Sequence, residues 1–545
     1  MSDIRTNIED ITVTRVAKTS CCEQPANGSA CCTPVSGKDI CCEQLANESA
    51  CCTPTSDVPL QETANALQPT FPAANGQAKK IALPVAIIGG GPIGLVAAAH
   101  LHRRGEPFIL FEAGETVAAN IWSWRHVRFF SPWRYSLDDT AVWLLKANGW
   151  QSPPLDGLPT GQALVEQYLH PLANLPELKP HIHLNSRVTF LGRKGLDKMK
   201  TSGREDRPFL LHVEQVGQVK TIEARAVIDA SGTWANPNPI GSGGVAALGE
   251  TAAKDHILYG IPDVLGQHKA RYAGKRVLVV GGGHSAMNAL LELTQLKEAY
   301  SSTEIFWALR KDQMQPVYGG EVNDALPARG ALGSRTRQMV ETKLVQLLTP
   351  FHIYEIKQEN GKLQVIGMLH DMETTVADID EIITATGSRP DLSFLREVRL
   401  DVDPALESVP ELAPLIDPNI HSCGTVQPHG EKELRQPEKD FYMVGMKSYG
   451  RAPTFLLATG YEQVRSVVAA LTGDWEAAAK VELNLSETGV CSSNLEVKGE
   501  LAGAVSCCGP TVANEAKAVE AVSCCSASAT LDLVTPTPVT ASCCG

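Results

Sequence analysis

The chain has 545 residues, too many for one hydrophobic core, so two or three domains are expected. Hydrophobic residues make up 43% and charged residues 20%, the proportions of a globular protein. The net charge of −13 argues against nucleic acid or an anionic membrane surface as a main partner. No segment has the basic start, short apolar core and cleavage site of a signal peptide. The most apolar stretch, Val85 to Leu101, carries four glycines and runs into His102-Arg103-Arg104, so it reads as a buried strand and helix rather than a membrane span. A soluble, cytoplasmic protein is therefore expected.

Residues 1–80 are rich in Ser, Thr, Asn, Pro and Ala without sustained apolar periodicity, and are expected to be disordered. They hold an internal repeat: Cys21-Cys-Glu-Gln-Pro-Ala-Asn-Gly-Ser-Ala-Cys-Cys-Thr-Pro recurs from Cys41 as Cys-Cys-Glu-Gln-Leu-Ala-Asn-Glu-Ser-Ala-Cys-Cys-Thr-Pro. Fourteen of the sixteen cysteines form seven adjacent pairs in the two tails. They are Cys21-Cys22, Cys31-Cys32, Cys41-Cys42 and Cys51-Cys52, then Cys507-Cys508, Cys524-Cys525 and Cys543-Cys544 in the similar segment 481–545. A disulfide between neighbours distorts the peptide between them. Reduced, each pair offers two soft thiolates suited to Cu(I), Zn, Cd or trivalent arsenic, so all fourteen are candidate metal or metalloid ligands. The alternative is repeat expansion without function.

A first fold occupies residues 81–240. A strand over Val85–Ile88 meets the turn Gly89-Gly-Gly91-Pro-Ile-Gly94 and a helix-like apolar stretch, the context in which a G-x-G-x-x-G turn binds the pyrophosphate of a dinucleotide. A second strand, Phe108–Phe111, ends in Glu112, eighteen residues after Gly94 and placed to meet the adenosine ribose. A later strand ends in Ala226-Val-Ile-Asp-Ala-Ser231-Gly232, a small-residue turn that can pass close to a cofactor. A second fold occupies 241–380. Its fingerprint is Gly281-Gly-Gly283-His-Ser-Ala286, after the strand Arg276-Val-Leu-Val-Val. Its next strand ends in Arg310-Lys311, where an enzyme that binds NAD carries an acid; two cations there suit the 2′-phosphate of NADPH, a solvated basic turn being the alternative. The chain is expected to return to the first fold over 381–480, through Glu381-Ile-Ile-Thr-Ala-Thr-Gly387, a strand at Phe441, Gly445, a loop, and a helix from Gly460.

This order resembles the two-dinucleotide-binding-domain flavoproteins, and among them the flavin-containing monooxygenase and Baeyer–Villiger-like branch. The segments Trp124-Arg-His-Val-Arg-Phe-Phe-Ser-Pro-Trp133 and Gly445-Met-Lys-Ser-Tyr-Gly-Arg-Ala-Pro-Thr454 are similar to a bacterial subgroup associated with arsenic-resistance genes. The resemblance implies an α/β architecture: a Rossmann-like FAD domain with a Rossmann-like NAD(P) domain inserted. FAD would contact Gly89, Gly91, Gly94, Glu112, Trp122, Ser231, Gly232 and Gly445, and NADPH would contact Gly281, Gly283, Ala286, Arg310, Lys311 and Gly387. The implied activity is hydride transfer from NADPH to FAD and oxygenation of a small-molecule substrate. Reduction of a disulfide or thiol-bound metalloid is the alternative, and ion sequestration by the tails a third reading.

Trp122, Trp124, His126, Arg128 and Trp133 either line the flavin cavity or form an apolar contact between domains. Lys447 and Arg451 precede a helix that in such folds points at the flavin, and are candidate catalytic residues, a solvated loop being the alternative. His256 stands near the place of a phenylalanine–glycine–histidine signature, but Leu248 replaces the aromatic residue and the glycine-to-histidine gap is too long, which weakens the case for oxygen insertion. His284 reads as structural or as a cofactor contact. Cys423 is either a redox thiol or inert packing. Ile93 occupies the position where related bacillithiol disulfide reductases carry cysteine.

Overall fold

The computed structural model describes residues 82–324, 326–420 and 428–483. The cysteine-rich segments expected to be disordered, with all fourteen paired cysteines, lie outside the described residues, as does Cys423.

Among the described residues sixteen strands are formed, some separated by helices and others in consecutive runs. In chain order they are β1 (Val85–Ile88), β2 (Phe108–Phe111), β3 (Ile182–His183), β4 (Ser186–Arg193), β5 (Phe209–Gln215), β6 (Gln218–Ala224), β7 (Ala226–Asp229) and β8 (Ile257–Tyr259). They continue as β9 (Arg276–Val280), β10 (Glu304–Ala308), β11 (Gln346–Leu348), β12 (Phe351–Glu359), β13 (Lys362–Leu369), β14 (Met372–Ile379), β15 (Glu381–Thr384) and β16 (Phe441–Met443). The first sheet has the order β16-β7-β1-β2-β3 and the second β11-β10-β9-β15-β8, all neighbours parallel. Each fold adds a three-stranded antiparallel meander, β4-β5-β6 in the first and β12-β13-β14 in the second. The nested two-dinucleotide architecture expected from the sequence is present.

Central strands of a parallel sheet are covered on both faces, so they read as unbroken apolar runs. All four residues of β1, Val-Ala-Ile-Ile, are buried. In the second fold successive residues divide between two cores, because side chains alternate across a strand. Val277, Val279, Ile305, Trp307 and Ile383 face helix His284–Ala299 and helix Pro327–Glu341; Leu278, Val280, Phe306, Ala308 and Ile382 face the meander with Phe351, Leu363 and Val365. In the first fold helix Pro92–Arg103 packs on helix Leu457–Leu471.

Two boundaries differ from expectation. The first fold was expected to resume at residue 381, but β15 pairs with β8 and β9, so Glu381–Thr384 belongs to the second sheet and the chain crosses only after it. The helix expected from Gly460 begins at Leu457. Gly460 lies inside it because a side chain there would stand 2.5 Å from Ile93 Cδ1 and 2.6 Å from the Phe455 ring.

The crossing segments pair with each other. Asn238 N donates to Gly387 O at 2.9 Å, Arg389 N to Asn236 O at 3.0 Å, and Ser388 Oγ to Thr233 Oγ1 at 2.8 Å. Among the described residues no helix is long and apolar enough to cross a membrane.

Candidate functional site

Ligands of open α/β sheets sit beyond the carboxyl ends of the strands. At that edge of the first sheet, β1 leads into Gly89, β2 into Glu112, β7 into Ser231 and β16 into Gly445. Gly89 has φ +103°, and a Cβ there would lie 2.6 Å from Ala230 O, so only glycine lets the two turns touch. Gly281 repeats the arrangement in the second sheet, with φ +126° and a Cβ position 2.2 Å from Ala385 O. Gly91 and Gly283 differ from these: a Cβ at either would meet nothing within 4 Å. Each caps the helix that follows, and the open space in front of its amide is where a pyrophosphate approaches the helix N-terminus. Ala286 is buried in the first turn of the second of these helices.

Glu112 accepts from Gly90 N through Oε2 and from Gly114 N through Oε1, both at 2.7 Å. The carboxylate is thereby locked beside the fingerprint turn. The cradle and its acid fit FAD, which when bound accepts hydride from a nicotinamide.

Behind the Ser231–Gly232 turn lies a buried ion pair. Asp229 and Lys447 have fully buried side chains, with Nζ 2.7 Å from Asp229 Oδ2. Lys447 also donates to Ser231 Oγ at 2.9 Å and lies 4.5 Å from the Phe394 ring centre, while Ser231 donates to Asp229 Oδ1 through N and Oγ at 3.1 and 2.7 Å. Lys447 is therefore neither a solvated loop residue nor placed to meet a substrate; it ties the turn after β7 to the loop after β16. Gln463 fixes that loop from below, accepting from Gly445 N at 2.7 Å and donating to Ser448 Oγ at 3.0 Å. Sequence reasoning missed Asp229 and Gln463. The signal for Asp229 was an acid closing an apolar strand, a charge that burial obliges to find a partner.

The tryptophan-rich segment divides. Trp133 is buried in the core of the first fold, Trp122 stacks on His170 with ring centres 6.3 Å apart, and Arg128 donates to Leu158 O at 2.8 Å. Trp124 packs on the core of the first fold beside Trp234, while His126 and Phe130 meet the second fold. Trp124 lies 6.0 Å from Trp234, whose ring covers Gly260, His126 Nε2 approaches Glu292 Oε1 to 3.9 Å, and Phe130 lies 5.0 Å from His284. Burial lowers the pKa of His126, and it pushes Glu292 up to about 7. Burial, with nearby Arg329, lowers His284 to about 4, so its imidazole stays neutral through the physiological range.

The carboxyl edge of the second sheet opens into a cavity of about 500 Å³. The Gly281–Ser285 turn, Arg310 and Lys311 after β10, Thr386 to Ser388 after β15, and Arg451 from the first fold line it. None of the lining residues is an acid. Arg310 donates to Ser242 O at 2.8 Å, which holds the side chain over the opening.

His256 is misplaced as a catalytic candidate. It precedes β8, at the amino ends of the strands and away from the cavity, and its Nδ1 lies 2.9 Å from Asp380 O. We expect His256→Ala to leave cofactor-driven flavin reduction unchanged in a stopped-flow measurement. Among the described residues no group of three or more His, Cys, Asp or Glu side chains is arranged to hold a metal.

Comparison with known proteins matches this geometry. Residues 86–424 fit the family described as pyridine nucleotide-disulphide oxidoreductase. The chain is 24% identical over 344 residues to a ferredoxin–NADP reductase of Lactobacillus johnsonii, covering 62% of this chain and 85% of that protein. A ferredoxin–NADP reductase of Lactobacillus gasseri is 24% identical over 346 residues, again covering 62% and 85%. Bacillithiol disulfide reductase from Bacillus cereus shares the fold at a TM-score of 0.53 and 18% identity, over 72% of this chain and 99% of that one. A cadaverine monooxygenase of desferrioxamine biosynthesis from Erwinia amylovora does so at 0.53 and 11%, over 76% and 100%. With the family match spanning more than half its length, the chain belongs to the pyridine nucleotide-disulphide oxidoreductase family and is an FAD-dependent, NAD(P)-linked oxidoreductase.

Proposed function

We propose that the protein takes hydride from NADPH and delivers the electrons to dioxygen, oxygenating a small substrate. The observation that carries the choice of NADPH is the acid-free cavity with Arg310 and Lys311 where the adenosine ribose of the dinucleotide would lie. An acid there would repel a 2′-phosphate, whereas a guanidinium can fork onto it. NADPH is expected to reduce the flavin faster than NADH. Arg310→Ala removes a hydrogen bond to charge, about 1.5–3 kcal/mol, so the preference is expected to fall by about one to two orders of magnitude. Equal rates with both cofactors in the unaltered enzyme would refute this.

Ile93 supports an oxygenase over a disulfide reductase. It is buried, and its side chain lies against Gly445 and Gly460, filling apolar space where related bacillithiol disulfide reductases carry a thiol. Between Cys52 and Cys491 the chain holds one cysteine, Cys423. NADPH consumption is expected to require oxygen and to stop after reduction of the bound flavin when oxygen is absent. Sustained anaerobic turnover with a disulfide, a ferredoxin or a thiol-bound metalloid would establish the reductase reading, which the names of several relatives favour.

For the cysteine pairs the proposal is capture of thiophilic ions, on ligand chemistry alone. The full chain is expected to bind several equivalents of trivalent arsenic or Cd, and a chain of residues 80–480 far fewer. Equal binding in a titration would remove any functional role from the repeats.

A further inference from the structure

The cavity of the second fold has one wall from the first. Arg451 stands in the loop after β16, which otherwise follows the flavin cradle, yet with Pro453 it lines the cavity of the second fold. Its backbone is held in place. Arg451 N donates to Leu406 O at 2.7 Å, Ala452 N donates to Tyr449 O at 3.0 Å, and Ala452 is fully buried. Gly450 has φ +61° and a Cβ there would lie 2.2 Å from Leu406 O, so only glycine lets the loop pass this close to Leu406.

Three of the cations nearby have protein partners. Lys447, four residues earlier, is buried against Asp229. Arg389 donates to Asn238 Oδ1 at 3.0 Å and lies 3.4 Å from Glu407. Arg310 donates to Ser242 O. Arg451 is exposed, and among the described residues its guanidinium makes no side-chain hydrogen bond or ion pair. Its backbone is held, and the residue lines a cavity that holds no acid.

We infer that Arg451 grips the pyrophosphate of the nicotinamide dinucleotide from the flavin side, so that the cofactor is held by both folds. This rests on the proposal that NADPH occupies the cavity. The division of labour follows from position. Arg310 and Lys311 follow β10, the next strand after the fingerprint helix, and so take the 2′-phosphate end. The pyrophosphate lies farther along, over the N-terminus of helix His284–Ala299. Arg451 approaches from the opposite fold, toward which the nicotinamide must extend to reach the flavin, and its guanidinium can donate two parallel hydrogen bonds to the phosphate oxygens, beside those the helix amides donate. It has no means of sensing the 2′-phosphate. Arg451 is thus a gripping residue common to NADPH and NADH, and Arg310 is the discriminating one.

The test is anaerobic stopped-flow reduction of the full-length holoenzyme by NADPH and by NADH, over a range of each, for R451A, R451K and R310A. R451A is expected to raise the half-saturating concentration about tenfold for both cofactors, the loss of a charge-assisted contact. The NADPH:NADH ratio is expected to stay that of the unaltered enzyme, and R451K to recover part of the loss. R310A is expected to lower the ratio. Unchanged half-saturation in R451A overturns the inference, as does a loss confined to NADPH, a loss confined to the limiting rate, or a loss of bound flavin. Failure of the unaltered enzyme to be reduced by NADPH would instead overturn the cofactor reading, before any variant is compared.

Discussion

Gly91→Leu is expected to yield folded, colourless protein. The position has φ −77°, which any residue adopts, and a Cβ there meets no atom within 4 Å, so the substitution costs the fold little. The new side chain would occupy the space through which a pyrophosphate reaches the helix amides. Two charge-assisted hydrogen bonds lost there, at about 1.5–3 kcal/mol each, lower FAD affinity by about a hundredfold or more. Gly94 gives the contrasting case: its Cβ would lie 1.9 Å from Gly89 O, so even Gly94→Ala is expected to destabilise the fold itself. Absorbance at the flavin band and circular dichroism of the two purified variants separate the effects. Full flavin content in Gly91→Leu would refute the assignment of the first fold to FAD.

Lys447→Met is expected to lower stability by about 3–5 kcal/mol, because it strands Asp229 as a buried charge with only Ser231 to serve it. Adding Asp229→Asn removes that charge and is expected to restore much of the loss. The same pair of substitutions in a merely exposed ion pair would cost about 1 kcal/mol or less. Chemical denaturation followed by tryptophan fluorescence reads both variants. A single-variant midpoint equal to that of the unaltered protein would show that the pair does not hold the turn after β7 to the loop after β16. Because Ser231 lies in that turn, flavin release is expected to accompany the loss.

Much of the candidate site was legible because it is built from local geometry. Each fingerprint is a strand, a turn and a helix start within about fifteen residues, and the acid or cations at the end of the next strand follow at a short distance. The tryptophan-rich segment was only half legible. Trp133 and Phe130 stand in one aromatic run, yet Trp133 is buried within the first fold while Phe130 packs on His284 of the second. Apolar character says that a ring will be covered and leaves open by what.

The sequence by itself determined two nested dinucleotide folds, the two glycine-rich turns between strand and helix, the acid Glu112 at the end of β2, and a basic segment after β10 at Arg310 and Lys311. Each depends on neighbours along the chain, where period and spacing carry the information. The tertiary structure alone decided where His256, Lys447 and Arg451 stand, three basic residues that the sequence offered as candidates for the site. His256 falls at the amino ends of the strands, Lys447 is buried on Asp229, and Arg451 enters the cavity of the other fold. It also decided that β15 joins the second sheet rather than the first. The physical reason is common to all four. A polar side chain's role depends on which distant segment packs against it, and an apolar strand pairs with whichever edge the assembled sheet presents.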